Sequence, residues 1–348
     1  MAIPDSLAAW RDFVAHLPEE PLSLTLSEVQ ALSVEAKSAY DRTRFAWLAA
    51  DTVLETTDTQ SLSRQARIAI ARNAASTATA RRGIAISGAA GMGKSTAALL
   101  LGKRHDKSER KRLGREDDRE FAPVVYTVVP PATTPKMLMQ AFAQWLGLPV
   151  LQRATAPMLA EQVVAILRTL GTSLVIVDEV HNLKTNRQAG AEAASTLKQF
   201  ADRLDATFLY AGIDLPTTDL FAGEMGRQIK ARMILHEMTP YSIGTKANRE
   251  SWADLVLGVE NLLPLAAHIP ESLAEESLYL WDRTGGSIGA LRGLLSDAAI
   301  GAILDGTEKI DRRRLEATAT DYAAQEHHRS HIKSGASKSK KTGVRMAQ

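Results

Sequence analysis

A glycine-rich segment that ends in lysine and serine carries the clearest chemistry in the sequence. It matches G-x-x-x-x-G-K-[ST], a pattern in which glycines let backbone N–H groups turn towards phosphate oxygens. Lys94 would reach the β- and γ-phosphates, and the hydroxyl of Ser95 would ligate Mg²⁺. A strand candidate precedes the segment and a helix candidate follows it, as a phosphate loop requires. The sequence therefore predicts ATP and Mg²⁺ at Gly88, Ala89, Ala90, Gly91, Met92, Gly93, Lys94, Ser95 and Thr96.

Two adjacent acidic residues follow a short, wholly apolar run. Leu174-Val-Ile-Val predicts a buried strand, and Asp178 and Glu179 come at its carboxyl end, where open α/β sheets bind ligands. Asp178 would hold Mg²⁺ through water, and Glu179 would polarise the attacking water, because phosphoryl transfer depends on positioning and electrostatics. With Lys94, these acids are the predicted catalytic residues of an ATPase.

Five short apolar segments alternate with helical patterns in the middle of the chain. A clear helix begins at Thr134, an N-cap residue followed by proline, and ends at Gly147. Apolar strands that alternate with helices predict a parallel sheet covered on both faces, an α/β fold. The five strand candidates are 83–88, 123–129, 173–178, 207–212 and 233–238.

The sequence on either side of this core reads differently. Residues 1–80 predict a helical N-terminal segment without a catalytic constellation, and 81–240 form the predicted core. Helical patterns return over 241–330, the predicted lid, and 331–348 form a Ser/Lys-rich basic tail typical of disorder.

Composition excludes several classes of protein. The 348 residues include no cysteine, which excludes disulfides and thiolate metal or nucleophile sites. The sequence has no apolar run that could span a bilayer, and its first residues lack the pattern of a signal peptide. These features predict a cytoplasmic protein with no membrane partner.

Basic residues are concentrated near the carboxyl terminus. The formal net charge of the whole chain is only +2, but residues 309–348 contain ten Lys or Arg against four acids. Such a stretch suits contacts with DNA phosphates, whose strength falls steeply with salt. A solubilising tail explains the same composition.

The order of these motifs resembles that of AAA+ ATPases. Within that group the chain is similar to the TniB/TnsC family of transposition regulators, which includes MuB-like proteins. The resemblance covers about residues 60–300. It includes Gly88–Thr96, Val177–Asn182, and the segment Val128–Lys136 leading into a helix that ends Trp145-Leu-Gly-Leu-Pro.

The resemblance implies a fold, an activity and partners. The fold would be a five-stranded parallel AAA+ sheet with helices on both faces, a C-terminal helical lid and a helical N-terminal segment. The activity would be Mg²⁺-dependent hydrolysis of ATP coupled to oligomerisation on duplex DNA, without sequence preference, and to recruitment of a transposase. Alternatives are another AAA+ switch, such as a replication initiator or helicase loader, or a defence or signalling ATPase that acts through protein partners.

The resemblance also implies roles for three arginines. Arg227 or Arg232 would reach the γ-phosphate held by a neighbouring subunit, although both also fit a solvated basic helix end. Arg292, three residues after Gly289, would lie on the nucleotide of its own subunit; a surface arginine on an amphipathic helix is the alternative.

One expected side chain departs from the family pattern. AAA+ proteins place a polar residue after the fourth strand, facing the γ-phosphate, whereas this sequence has Ile213 there. Asp214 and Tyr210 are the nearest polar candidates. His181, just after the acidic pair, would either shape the site or be a loop histidine without a catalytic part.

Overall fold

The structure is a computed structural model. It describes residues 3–50, 55–76, 81–184, 187–221 and 223–329. The predicted basic tail, 331–348, lies outside the described residues.

The core of the protein is a five-stranded sheet. Its strands are β1 Gly83–Gly88, β2 Val124–Val128, β3 Leu174–Asp178, β4 Thr207–Gly212 and β5 Met233–Met238. They lie in the order β2-β3-β4-β1-β5, and every neighbouring pair is parallel. The prediction of a five-stranded parallel sheet is therefore confirmed. Because all strands run the same way, the carboxyl ends of β1, β3 and β4 lie along one edge of the sheet.

The described residues form fourteen α-helices with both ends inside the described ranges, and a further helical stretch covers 322–329. Those before and within the core are α1 Leu7–Ala15, α2 Leu26–Ala31, α3 Val34–Ala49, α4 Thr57–Ala74, α5 Lys94–Leu113, α6 Pro135–Trp145, α7 Ala156–Thr169, α8 Arg187–Asp202 and α9 Gly223–Lys230. Those after it are α10 Lys246–Glu260, α11 Ser272–Glu275, α12 Ser277–Thr284, α13 Ile288–Leu304 and α14 Arg312–Ala317.

Helix α6 illustrates how local sequence sets the boundaries. The hydroxyl of Thr134 accepts a hydrogen bond from the backbone N–H of Met137 at 3.3 Å, and Pro135 occupies the first turn. Gly147, just past the end, has a φ of 72°, a left-handed conformation that glycine adopts without a steric cost. The predicted helix start and stop are confirmed.

The described chain divides into two compact units. One consists of residues within 2–16 and 55–238 and contains the sheet; the other consists of residues within 17–54 and 239–348. The described residues of the N-terminal segment are therefore divided between the two units. The reason is burial: Trp10 and Leu62 belong to the sheet core, whereas Leu48 belongs to the core of the helical unit.

A buried ion pair ties α3 to the rest of the helical unit. Arg44 is fully buried, and its two terminal nitrogens lie 2.6 and 3.0 Å from the carboxylate of Glu308. A buried charge is tolerated when it is paired and hydrogen-bonded, so these contacts hold residues from opposite ends of the sequence in one unit.

Among the described residues, none of the helices taken singly has the length and apolar character of a membrane span. The pair α12 and α13, bent by 111° at the break between them, meets the criterion of length and composition when the two are counted together.

Candidate active site

The phosphate loop connects the end of β1 to the start of α5. Gly91 and Gly93 have φ values of 76° and 80°, which favour glycine and let the chain turn between strand and helix. Gly93 is the N-cap residue of α5, and no side chain caps the helix there. The first N–H groups of this 20-residue helix therefore point out of its amino end, where the helix dipole also favours an anion.

The remaining residues of the loop contribute mainly through the backbone. Met92 is buried and packs in the core, so its side chain holds the loop in place. Ser95 and Thr96 are half-buried in the first turn of α5. Gly88 lies against β5, where an added Cβ would meet the carbonyl oxygen of Met238 at 2.4 Å.

The Lys94 side chain folds back over the loop. Its ammonium donates a hydrogen bond to the carbonyl of Ala89 at 2.7 Å, and the residue is only 7% exposed. Burial lowers the pKa of Lys94, while the carboxylates of Glu179, Asp178 and Asp214 act in the opposite direction. The ammonium is therefore held over the loop, where it can bind a phosphate.

Asp178 is fixed at the end of β3. Its Oδ1 accepts a hydrogen bond from the backbone N–H of Glu179 at 2.7 Å, and its Oδ2 accepts one from the hydroxyl of Tyr126 at 2.7 Å. The residue is 1% exposed. With both oxygens already engaged, Asp178 suits binding of Mg²⁺ through a water molecule better than direct ligation.

Glu179 projects from a strained position just past the strand. Its φ is 57°, a left-handed value that is uncommon for a residue with a side chain and that clusters at functional sites. Its side chain is 40% exposed, in contrast to the buried Asp178. The two adjacent acids therefore have different surroundings, one fixed and buried, the other open to solvent.

His181 connects Glu179 to the end of β4. Its Nε2 lies 3.2 Å from Oε2 of Glu179, and its Nδ1 accepts a hydrogen bond from the backbone N–H of Ile213 at 3.3 Å. The absence of a side chain at Gly212 makes room for the ring, since a Cβ there would lie 3.3 Å from Nδ1. Of the two interpretations of His181, its contacts favour the one in which it shapes the site.

The two sensor candidates after β4 have different surroundings. Tyr210 is buried against Phe208 and Phe221, and burial raises its pKa. Asp214 is exposed, has a φ of 47°, and is near enough to Lys94 to affect its pKa. Of the two, Asp214 is the candidate open to solvent, although its charge would oppose that of a phosphate.

Arg232 lies at the opposite edge of the sheet from the phosphate loop. Its carbonyl accepts a hydrogen bond from the N–H of Gly83 at 3.1 Å, at the amino end of β1. The loop begins at Gly88, five residues along the strand and so about 16 Å away. Arg232 therefore does not reach the loop of its own subunit; its nearest acid is Asp202, at 3.7 Å. Arg227 is exposed on α9.

Arg292 occupies the second turn of α13. The helix is capped by Ser287, whose hydroxyl accepts a hydrogen bond from the N–H of Ala290 at 3.3 Å. Just before it, Gly286 has a φ of 74° and packs so closely that a Cβ would meet the carbonyl oxygen of Tyr241 at 2.2 Å. The guanidinium of Arg292 donates a hydrogen bond to the carbonyl of Ala50, at the end of α3. Its role towards a nucleotide stays a prediction.

Comparison with known proteins decides the family. The family described as "Bacterial TniB protein" matches residues 44–242, more than half of the 348 residues. The chain belongs to the TniB family. The match includes the phosphate loop, the acidic pair and both Arg227 and Arg232. No curated protein sequence matches the chain.

Solved structures similar to this TniB-family protein share its fold at low sequence identity. The ORC2 protein of Aeropyrum pernix, in ADPNP–ADP complexes, is 17% identical over 82% of this chain and 74% of that chain, with a TM-score of 0.61. The ORC1 protein of Aeropyrum pernix, in complex with DNA, is 17% identical over 81% of this chain and 68% of that chain, with a TM-score of 0.58. Cdc6p from Pyrobaculum aerophilum is 15% identical over 76% of this chain and 67% of that chain, with a TM-score of 0.50. The shared fold is that of AAA+ ATPases, as predicted.

The residues of this TniB-family protein fit a nucleotide and a magnesium ion. The uncapped amino end of α5 and the ammonium of Lys94 suit phosphate oxygens, and the Ser95 hydroxyl together with Asp178 suits a hydrated Mg²⁺. The described residues include no group of three or more His, Cys, Asp or Glu that could hold a metal by themselves. Mg²⁺ is usually bound by one or two protein groups plus phosphates.

Proposed function

We propose that this TniB-family protein binds Mg·ATP, assembles as a homo-oligomer on duplex DNA, and regulates or targets transposition by recruiting a transposase. The observation that carries the proposal is the position of Lys94, folded into a complete phosphate loop and facing Asp178 and Glu179. Membership of the TniB family and the AAA+ fold support an ATPase.

The residues of the site have different roles in hydrolysis. The backbone of Gly88–Thr96 and the ammonium of Lys94 bind and orient the phosphates. Ser95 and, through water, Asp178 position Mg²⁺, which when bound neutralises charge that develops on the phosphates. The exposed carboxylate of Glu179 orients the attacking water and accepts its proton, and His181 fixes one of its oxygens.

Arg232 is the first candidate for a role at a neighbouring subunit. It lies at the amino edge of its own sheet, so it can supply charge only to a phosphate outside its own subunit. Asp202 would orient it. Arg227, on the exposed surface of α9, is the second candidate for the same role.

Mixing inactive variants tests whether an arginine acts between subunits. Arg232→Ala and Glu179→Gln proteins are each expected to be inactive, but a mixture should recover part of the ATPase activity. Recovery is expected because some interfaces then combine an intact arginine with an intact glutamate. The same mixing with Arg227→Ala shows which arginine acts, and a mixture of Lys94→Ala with Glu179→Gln is the negative control. No recovery in subunit-exchanging mixtures, or a rate independent of protein concentration, would count against the role.

The case for DNA rests on the family and on charge. A structural neighbour, the ORC1 protein, is described in complex with DNA, which supports DNA as a candidate partner. Within the described part of the basic C-terminal stretch, Arg312 pairs with Glu276 and Arg314 pairs with Asp305. These two arginines already have acidic partners, so the basic residues after 329 carry most of the stretch's capacity for DNA phosphates.

Binding of duplex DNA is expected to depend on ATP and not on sequence. ATP would assemble subunits, so that many weak phosphate contacts act together on one duplex. Fluorescence polarisation of two unrelated labelled duplexes at moderate salt should show cooperative binding with a non-hydrolysable ATP analogue and much weaker binding with ADP. Affinity should fall steeply as salt rises. If neither duplex is retained with any nucleotide, an ATPase that acts through a protein partner replaces the proposal.

A further inference from the structure

The N-terminal helix α1 inserts a tryptophan into the core behind the candidate site. Trp10 is fully buried and packs against Gly102 of α5, where a Cβ would lie 2.7 Å from the indole ring. Its Nε1 donates a hydrogen bond to Asp106 at 2.9 Å, and Asp106 also accepts one from Arg110 at 2.6 Å. Trp10 is therefore held in one orientation by a buried polar partner as well as by packing.

The indole of Trp10 lies against the ring of Tyr126 on β2. The two ring centroids are 6.5 Å apart with an interplanar angle of 11°, an offset stacked arrangement. Tyr126 is itself fully buried. Its position in the sheet is set by the register that pairs it with Ile176 of β3, two residues before Asp178.

The hydroxyl of Tyr126 reaches Asp178. It donates a hydrogen bond of 2.7 Å to Oδ2, while the N–H of Glu179 occupies Oδ1. The plane of the Asp178 carboxylate is thereby fixed from both sides.

We propose that Tyr126 is a positioning residue for Asp178 and that Trp10 of α1 holds Tyr126 in place. Helix α1 thereby contributes to the geometry of the magnesium site. Helix α1 lies outside residues 44–242, the part of the chain that matches the family. The proposal deepens the proposed function because it rests on binding of Mg·ATP at this site, but it does not depend on DNA.

A role limited to core packing predicts a different result. Loss of packing would lower the stability of the fold and reduce nucleotide binding with and without metal to a similar degree. A positioning role predicts that Mg²⁺ strengthens nucleotide binding less in the variant than in the wild type. Mutation of groups that orient a metal's ligands typically changes metal affinity 10–100-fold. The ratio of nucleotide affinity with Mg²⁺ to that in EDTA separates the two.

Tyr126→Phe is the most direct variant because it keeps the ring and removes only the hydroxyl. A fluorescent non-hydrolysable ATP analogue is titrated into each protein with Mg²⁺ and with EDTA. The affinity ratio should fall about 10-fold in Tyr126→Phe, while affinity in EDTA is unchanged. Tyr40→Phe is the matched control, since the Tyr40 hydroxyl donates to the carbonyl of Leu22 at 2.7 Å, and both residues belong to the other compact unit. A wild-type ratio in Tyr126→Phe would overturn the proposal.

Trp10 is tested in the same assay. Trp10→Leu removes the stacked ring and should lower the ratio in the same direction by a smaller factor, whereas Trp10→Phe restores a ring and should lie nearer to wild type. Thermal denaturation shows whether each variant folds. A wild-type ratio in folded Trp10→Leu overturns the role of α1; if that variant does not fold, Trp10→Met, which also lacks the stacked ring, takes its place in the same comparison. Wild-type protein that binds Mg·ATP but no duplex would instead contradict the proposed function and leave this inference standing.

Discussion

Replacing Lys94 with alanine is expected to abolish detectable binding of ATP. The ammonium faces Asp178, Glu179 and Asp214, so its removal leaves three carboxylates and no lysine opposite the phosphates. Repulsion then adds to the loss of attraction, because the site keeps its negative charges and loses its positive one. Titration of a fluorescent ATP analogue measures the effect, with circular dichroism to verify folding.

Lys107→Ala is the matched control for this variant. Lys107 lies on the same helix, α5, but is exposed and distant in sequence from the loop. It should bind ATP as the wild type does. If Lys94→Ala binds ATP within about threefold of the wild type, the phosphate loop is not organised as described here.

Glu179→Gln is expected to retain ATP and to lose hydrolysis by about 100-fold or more. The amide is isosteric with the carboxylate and can still accept a hydrogen bond from His181, so the phosphate loop stays intact. It cannot, however, accept a proton from the attacking water. Steady-state release of phosphate and equilibrium binding of ATP are measured on the same preparation.

Glu116→Gln, at an exposed position after α5, controls for the loss of one negative charge and should hydrolyse normally. Hydrolysis at the wild-type rate by Glu179→Gln would show that another group activates the water. Because His181 contacts Glu179, it would then be the next residue to replace.

The strands and the phosphate loop were predictable because their signals are local. The expected strands 83–88, 207–212 and 233–238 coincide with β1, β4 and β5, and the other two differ by a single residue at one or both ends. A buried parallel strand needs a short apolar run, and a phosphate loop needs glycines at fixed spacing. Neither depends on residues far away in the sequence.

The support for Asp178 was not predictable in the same way. Tyr126 lies 52 residues before it, and Trp10 lies far earlier still, so no spacing rule connects them. One signal was present: a tyrosine within the apolar run of β2 needs a partner for its hydroxyl when the strand is buried. Which partner it finds follows from the order of strands, and that order places β2 beside β3.

The division of the N-terminal residues between the two compact units could not be predicted from the sequence either. Helices α1 and α4 have amphipathic patterns, which show that a face is buried but not against what, whereas the pattern of α3 is weak. Nor does any spacing in the sequence link Arg44 of α3 to its buried partner Glu308, 264 residues later.

The most direct test of the central claim is whether the ATP-bound state is the one that holds DNA. Glu179→Gln protein, which should keep ATP without consuming it, is titrated into a labelled duplex in ATP and in ADP, with polarisation as the readout. We expect cooperative retention in ATP that persists over hours and is at least about tenfold weaker in ADP. Equal retention in the two nucleotides, or none in either, would contradict the claim.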